Sequence, residues 1–276
     1  MKTTNSTLFT SKPLRRTLSA FAAFSVLMTS MPVYALDWGN ATPVAGGITG
    51  GTAGGVTTIN QTGQAGIINW TTFDMTGGET ANFNQPGANA VTLNRITADM
   101  DGTQIAGQIN ANGGVWVVNP NGVFIQDGAS INVGAMFVAA AMNISDADFN
   151  NYATGADTAM RFSGAAGSVE NRGTITAGTR AALVGGSVFN DGAINAAQTA
   201  LAAGTSSIVI DEVGGGTVSI DLGGDALSDM QLGGTFSGDA VASVKGRDIR
   251  QDTAGAVVIG GGAELTAGGT ISLGNS

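Results

Sequence analysis

The sequence predicts an all-β chain: a right-handed parallel β-helix, that is, a single-stranded solenoid, with an amino-terminal β cap and a small extra-helical hairpin. Three observations carry that prediction. Residues 168–177 (SVENRGTITA) recur nineteen residues later as 187–196 (SVFNDGAINA), and repetition at a short fixed period marks stacked units that bury a core only against their neighbours. The 276 residues include 44 glycines and only 11% charged side chains, a composition foreign to helical or doubly wound domains. The chain has no cysteine, so its stability must come from packing.

Residues 1–35 read as an export signal. Lys2, Lys12, Arg15 and Arg16 precede an apolar stretch over 21–28, and Val33-Tyr34-Ala35 offers a small-residue cleavage site, so cleavage is expected after Ala35. The stretch is interrupted by serine and falls short of the roughly 20 residues needed to span a bilayer, so no membrane insertion is expected. Cleavage would remove four of the eleven basic residues and none of the twenty acidic ones, leaving seven against twenty and a net charge of −13. Seven scattered cations make no basic stripe, which argues against nucleic acid or an anionic membrane as a partner.

Residues 36–90 are Gly- and Thr-rich and lack the clean repeat, which suits a cap over the open end of a stack. Trp38, Trp70 and Phe73 could plug its apolar mouth. Coils are expected from about residue 91. In the segment 94–133, the runs VWVV (115–118) and VFI (123–125) are β-branched or aromatic and suit buried strands. Between them Asn119, Pro120, Asn121 and Gly122 have the residue preferences of a four-residue turn, and Pro120, lacking an amide donor, keeps the flanking strands separate. The loop 143–159, with Asp146, Asp148, Tyr152 and Asp157, interrupts the repeat and is expected outside the coil as a hairpin or short excursion. From 168 to 214 the repeat places Val169, Ile175, Leu183, Val188, Ile194 and Leu201 inward. Asn171 and Asn190 fall at equivalent structural corners, where amides can bond along the axis as a ladder. Residues 215–276 are expected to add further β-helix coils, the start of a shaft.

Little catalytic chemistry is available. Without histidine or cysteine there is no Ser-His-Asp or Cys-His nucleophile, no thiol chemistry and no ordinary zinc site. No catalytic residue, cofactor-binding residue or metal ligand is therefore assigned. The pairs Asp146 with Asp148 and Asp211 with Glu212 read as solvated loops of an acidic solenoid. A β-helical carbohydrate-active enzyme would need convergent carboxylates and cations, for which Asp211, Asp221, Arg247 and Arg250 are the candidates. A filament-forming surface protein is a third class.

Asn94-Arg95-Ile96-Thr97, then Gln104-Ile105-Ala106-Gly107-Gln108-Ile109, then Ala111-Asn112-Gly113-Gly114-Val115 and Asn119-Pro120-Asn121-Gly122-Val123 follow in an order that resembles the amino-terminal secretion domain of filamentous haemagglutinin and the high-molecular-weight adhesins, the exported partners of two-partner secretion. The resemblance runs from about Leu36 to near Gly214. It implies an adhesin-like exoprotein, not an enzyme, that passes through the periplasm to the cell surface or medium. Its implied partner is a dedicated outer-membrane barrel transporter with periplasmic binding domains. It also implies that Asn94, Arg95, Asn119, Pro120, Asn121 and Gly122 belong to the part the transporter reads. A second Asn-Pro-Asn turn of that family is missing here, and Asn150-Asn151-Tyr152 stands nearest its place.

Overall fold

A computed structural model describes residues 36–213 and, beyond them, the strands Thr217–Gly223, Met230–Leu232, Thr235–Ser237, Ala242–Gly246, Ile249–Gln251, Glu264–Ala267 and Ile271–Ser272. The export signal lies outside the described residues. Among the described residues the structure is all-β apart from a short 3-10 turn and one α-helix, and most strand pairs are parallel.

Each coil lays a short strand on a narrow sheet and one or two longer strands on a wide one. The short strands Thr103–Ile105, Val123–Ile125, Ser168–Asn171, Ser187–Asn190, Met230–Leu232 and Ile249–Gln251 stack in parallel. On the wide sheet Gln108–Ala111 and Gly114–Val118 lie under Ser130–Val133 and Met136–Ala140, and these lie under Thr174–Gly185 and Ala193–Ala203. The register turns the sequence repeat into columns. Ile109, Ile131, Ile175 and Ile194 stack in line, as do Val117, Ala139, Leu183 and Leu201. These side chains are buried in one continuous inner cluster. Each fully buried aliphatic side chain stabilises the fold by roughly 1.5–3 kcal/mol, so the core grows by a similar increment with every coil.

Parallel stacking begins earlier than the composition suggests. Val56–Asn60 pairs in parallel with Thr80–Asn84, and Ala65–Trp70 with Val91–Ile96, so coils start well before residue 91. Within residues 36–90, Ala41–Ala45 and Thr49–Ala53 pair antiparallel, on Ala65–Trp70 and Val56–Asn60 respectively. The irregular Gly and Thr content of 36–90 conceals the period because these coils carry polar residues inside. Gln61, Gln85 and Thr92 are buried there, with the Thr92 hydroxyl donating to Gln61 Oε1 at 2.6 Å and Gln85 Nε2 donating to Thr92 Oγ1 at 2.9 Å. Trp38, Trp70 and Phe73 pack edge to face at this end, with centroids 5.9 and 5.0 Å apart.

The segment expected outside the coil as a hairpin or short excursion is an excursion and not a hairpin: a helix, Asp146–Ala153, followed by the strand Met160–Ser163. Ser145 caps the helix by accepting from the Asp148 amide at 3.0 Å, and Asp146 and Asp148 place negative charge at its positive end. Met160–Ser163 then pairs antiparallel with Ser207–Val213, which pairs antiparallel with Thr217–Gly223. Two excursions leaving different coils thus join in a three-stranded sheet. Together with the helix it covers the outer face of the wide sheet, and a second apolar cluster forms there from Leu93, Trp116, Val138, Phe149, Phe162, Ile208 and their neighbours. Gly114–Val118 is therefore buried on both faces, which accounts for its unbroken apolar run.

Candidate functional site

The six residues of the expected transporter-read element lie on two successive coils, Asn94 and Arg95 within the strand Val91–Ile96 of the wide sheet and Asn119 to Gly122 in the turn after Gly114–Val118. Asn94 points into the lumen in the column of Ile68 and Val117 and is fully buried. Its Oδ1 accepts from the Trp70 indole N–H at 3.0 Å, and its Nδ2 donates to the Trp116 carbonyl at 3.1 Å. A buried amide left unpaired would cost on the order of 1–3 kcal/mol, and these two bonds tie the plugging aromatic to the next coil. The neighbouring side chain, Arg95, points the other way. Its guanidinium donates to the Ile144 carbonyl at 2.9 Å and pairs with Asp146 at 2.6 Å, so it clasps the start of the excursion.

Asn119, Pro120, Asn121 and Gly122 form a closed turn. The Gly122 amide donates to the Asn119 carbonyl at 2.9 Å, and the Asn121 amide donates to Asn119 Oδ1 at 3.0 Å, so backbone and side chain of one residue close the same corner. Asn119 itself is fully buried, its Nδ2 donating to Thr103 Oγ1 at 3.1 Å and its backbone amide to Ala140 at 3.0 Å. Asn121 is exposed and donates from Nδ2 to the Asp99 carbonyl at 2.9 Å. Gly122 has φ +138, and a Cβ there would meet the Phe124 ring at 2.7 Å, so a side chain would strain the corner. The turn sits directly on its predecessor, with the Thr103 amide donating to Gly122 O at 3.0 Å. Its successor is equally close, for a Cβ on Gly167 would meet Pro120 O at 2.6 Å.

Asp99 escaped notice in the sequence because no motif marks it. Burial, and secondly the nearby Asp74 carboxylate, hold its pKa above the ordinary carboxylate range. Asp74 Oδ1 in turn accepts from the Gln104 amide at 2.7 Å. The Ser145 cap was also missed, although Ser145-Asp-Ala-Asp148 carries the spacing of a helix start.

Asn171 and Asn190 lie elsewhere, on the narrow sheet. Both are buried and face inward in the column of Ile105 and Ile125, with Asn171 Nδ2 donating to Asn190 Oδ1 at 2.8 Å. The pair is bounded by Ile125 below and Leu232 above, and Asn171 Oδ1 finds no partner among the described residues. Asp211 and Asp221 are diagonal neighbours on the solvent face of the antiparallel sheet, where Asp211 accepts from the Thr158 hydroxyl at 2.7 Å. Arg247 lies outside the described residues, as does the side chain of Arg250. Among the described residues no three His, Cys, Asp or Glu side chains gather to hold a metal ion. No described helix is long and apolar enough to cross a membrane.

The family model of the TPS secretion domain matches residues 40–273. The chain belongs to the TPS secretion domain family. The crystal structure of the HMW1 secretion domain from Haemophilus influenzae aligns with a TM-score of 0.60 at 22% identity, covering 78% of this chain and 72% of that one, which establishes a shared fold. Two heme/hemopexin-binding proteins of Haemophilus influenzae are 43% and 40% identical over 86 and 79 residues. Those stretches are 31% and 29% of this chain but 9% and 8% of the relatives, so the chain spans a small part of their length. A TPS secretion domain belongs to an exoprotein that leaves the cell through an outer-membrane transporter, and the family is not one of enzymes.

Proposed function

We propose that this chain is an exported, adhesin-like protein whose amino-terminal β-helical domain is read by its transporter's periplasmic binding domains. The element read comprises Asn94, Arg95, Asn119, Pro120, Asn121 and Gly122. One observation supports a reading before folding: Asn94 and Asn119 are fully buried in the finished coil, whereas Asn121 is exposed. The element is presented whole only while the chain is extended. Parallel coils close long loops and fold slowly, and a chain without cysteine cannot be locked early by a disulfide. Once outside, each coil that closes buries another set of inward side chains and makes return unfavourable. The export signal is cleaved after Ala35, and the coils wind right-handed, the sense that parallel crossovers overwhelmingly adopt.

The test is release into the medium from cells that also make the cognate transporter. Deleting residues 119–122 is expected to abolish release and leave a periplasmic pool. Asn171→Ala, which also removes a buried amide but lies outside the element, is expected to be released. Undiminished release of the deletion variant, or equal loss in both, would contradict the proposal.

A further inference from the structure

One wall of the stack is built by Val56–Asn60, Thr80–Asn84, Gln108–Ala111, Ser130–Val133 and the first parts of Thr174–Gly185 and Ala193–Ala203. Its inward side chains fill the lumen, and two axial rows of outward ones run through successive coils. In one row Thr58, Asn82, Asn110, Asn132, Thr176 and Asn195 stand in register from coil to coil. The neighbouring row includes Thr80, Gln108, Ser130 and Thr174. Neither row holds an ionisable side chain, although the chain carries 31 charged residues, 20 acidic and 11 basic. Asn110 Nδ2 donates to Asn82 Oδ1 at 3.1 Å, which orients the amides along the axis. Asn132 is exposed. A groove of about 620 Å³ runs beside the rows, lined by Thr58, Asn82, Asn84, Asn110, Asn112 and Asn132.

An amide presents a donor and an acceptor side by side, and a hydroxyl serves as both. A regular array of them, repeating at the strand spacing of about 4.8 Å, complements a ligand that repeats hydroxyl groups and carries no charge. A charged partner finds no counter-ion on this wall. A second protein finds little apolar surface, since Val56 is the only exposed large hydrophobic side chain on it among the described residues, and protein interfaces centre on aromatic and aliphatic anchors. We propose that this wall binds a neutral polysaccharide laid along the solenoid axis. Each hydrogen-bonded sugar contributes little, and successive coils supply the avidity.

The proposal is independent of how the chain is exported, because its test uses the folded, mature full chain. Native electrophoresis is run through gels containing dextran, mannan or a soluble mixed-linkage β-glucan, with alginate as the anionic comparison. At least one neutral polymer is expected to retard the protein. The double variant Asn132→Ala/Thr176→Ala, both exposed outward positions, is expected to weaken retardation about tenfold with an unchanged melting temperature. Absence of retardation by all three neutral polymers, retardation by alginate alone, or equal retardation of the double variant would overturn the assignment. Self-association in sedimentation that the double variant abolishes would overturn it too, and would assign the wall to a second copy.

Discussion

At the scale of single residues, Asn119 closes a turn with both its backbone and its side chain while its amide reaches the preceding coil at Thr103. The preference of Asn, Pro, Asn and Gly for a turn was legible in the sequence because it is local chemistry. The burial of Asn119 and Asn94 was not legible, since an inward amide depends on which neighbours the register supplies. Asp99, the half-buried carboxylate beneath this turn, belongs to the same class of hidden residue. Its folded pKa is raised, so the native state binds that proton more tightly than the unfolded chain. Its contribution is therefore fully favourable at acid pH and is lost as pH rises through the window between the unfolded and folded values. Asp99→Asn should raise the denaturation midpoint at pH 7 and lose that advantage as the pH is lowered through the window. A variant no more stable than the parent at pH 7 would show that the carboxylate's hydrogen bonds outweigh its desolvation.

At the scale of elements, two kinds of contact hold the excursion on the wide sheet, and their magnitudes differ. The pair between Arg95 and Asp146 has one half-exposed partner, and such surface pairs stabilise by roughly 0.2–1 kcal/mol. Trp116 is fully buried among Phe149, Tyr152 and Phe162, with ring centroids 5.3, 5.2 and 6.0 Å away. Truncating such a side chain costs about 3–5 kcal/mol. Trp116→Ala is thus expected to open the excursion to limited proteolysis within residues 143–163, whereas Arg95→Ala is expected to leave that segment protected. Cleavage in both variants alike would mean that the ion pair contributes as much as the aromatic cluster to holding the excursion. The repeat at 168–196 showed in the sequence because two consecutive coils place like residues, Val169 and Val188, Asn171 and Asn190, Ile175 and Ile194, at matching inward positions with no excursion between them. The helix Asp146–Ala153 did not, for its stability rests largely on a cap and on Phe149 docking against a distant strand.

At the scale of the whole molecule, the inner cluster extends along an axis and gains a similar increment with each coil. The outer cluster joins segments from both halves of the chain. Met160–Ser163, on the outer layer, therefore lacks its paired strand until Ser207–Val213 arrives. A chain built this way favours staying open until late and then closing cooperatively, which suits passage in an extended form. The solenoid was readable because glycine content, missing cysteine and a nineteen-residue echo all reflect one architecture. Its early start was concealed by the polar network around Thr92.

The central claim is that the transporter reads the element around Asn119 before the coils close. The direct measurement is capture of the mature chain by the purified periplasmic domains of its transporter, comparing chain freshly diluted from denaturant with chain allowed to fold first. The account predicts capture of the unfolded chain, little capture of the folded one, and weakened capture of both Asn119→Ala and Asn121→Ala. Equal capture of the folded domain, with sensitivity to the exposed Asn121 and none to the buried Asn119, would contradict it.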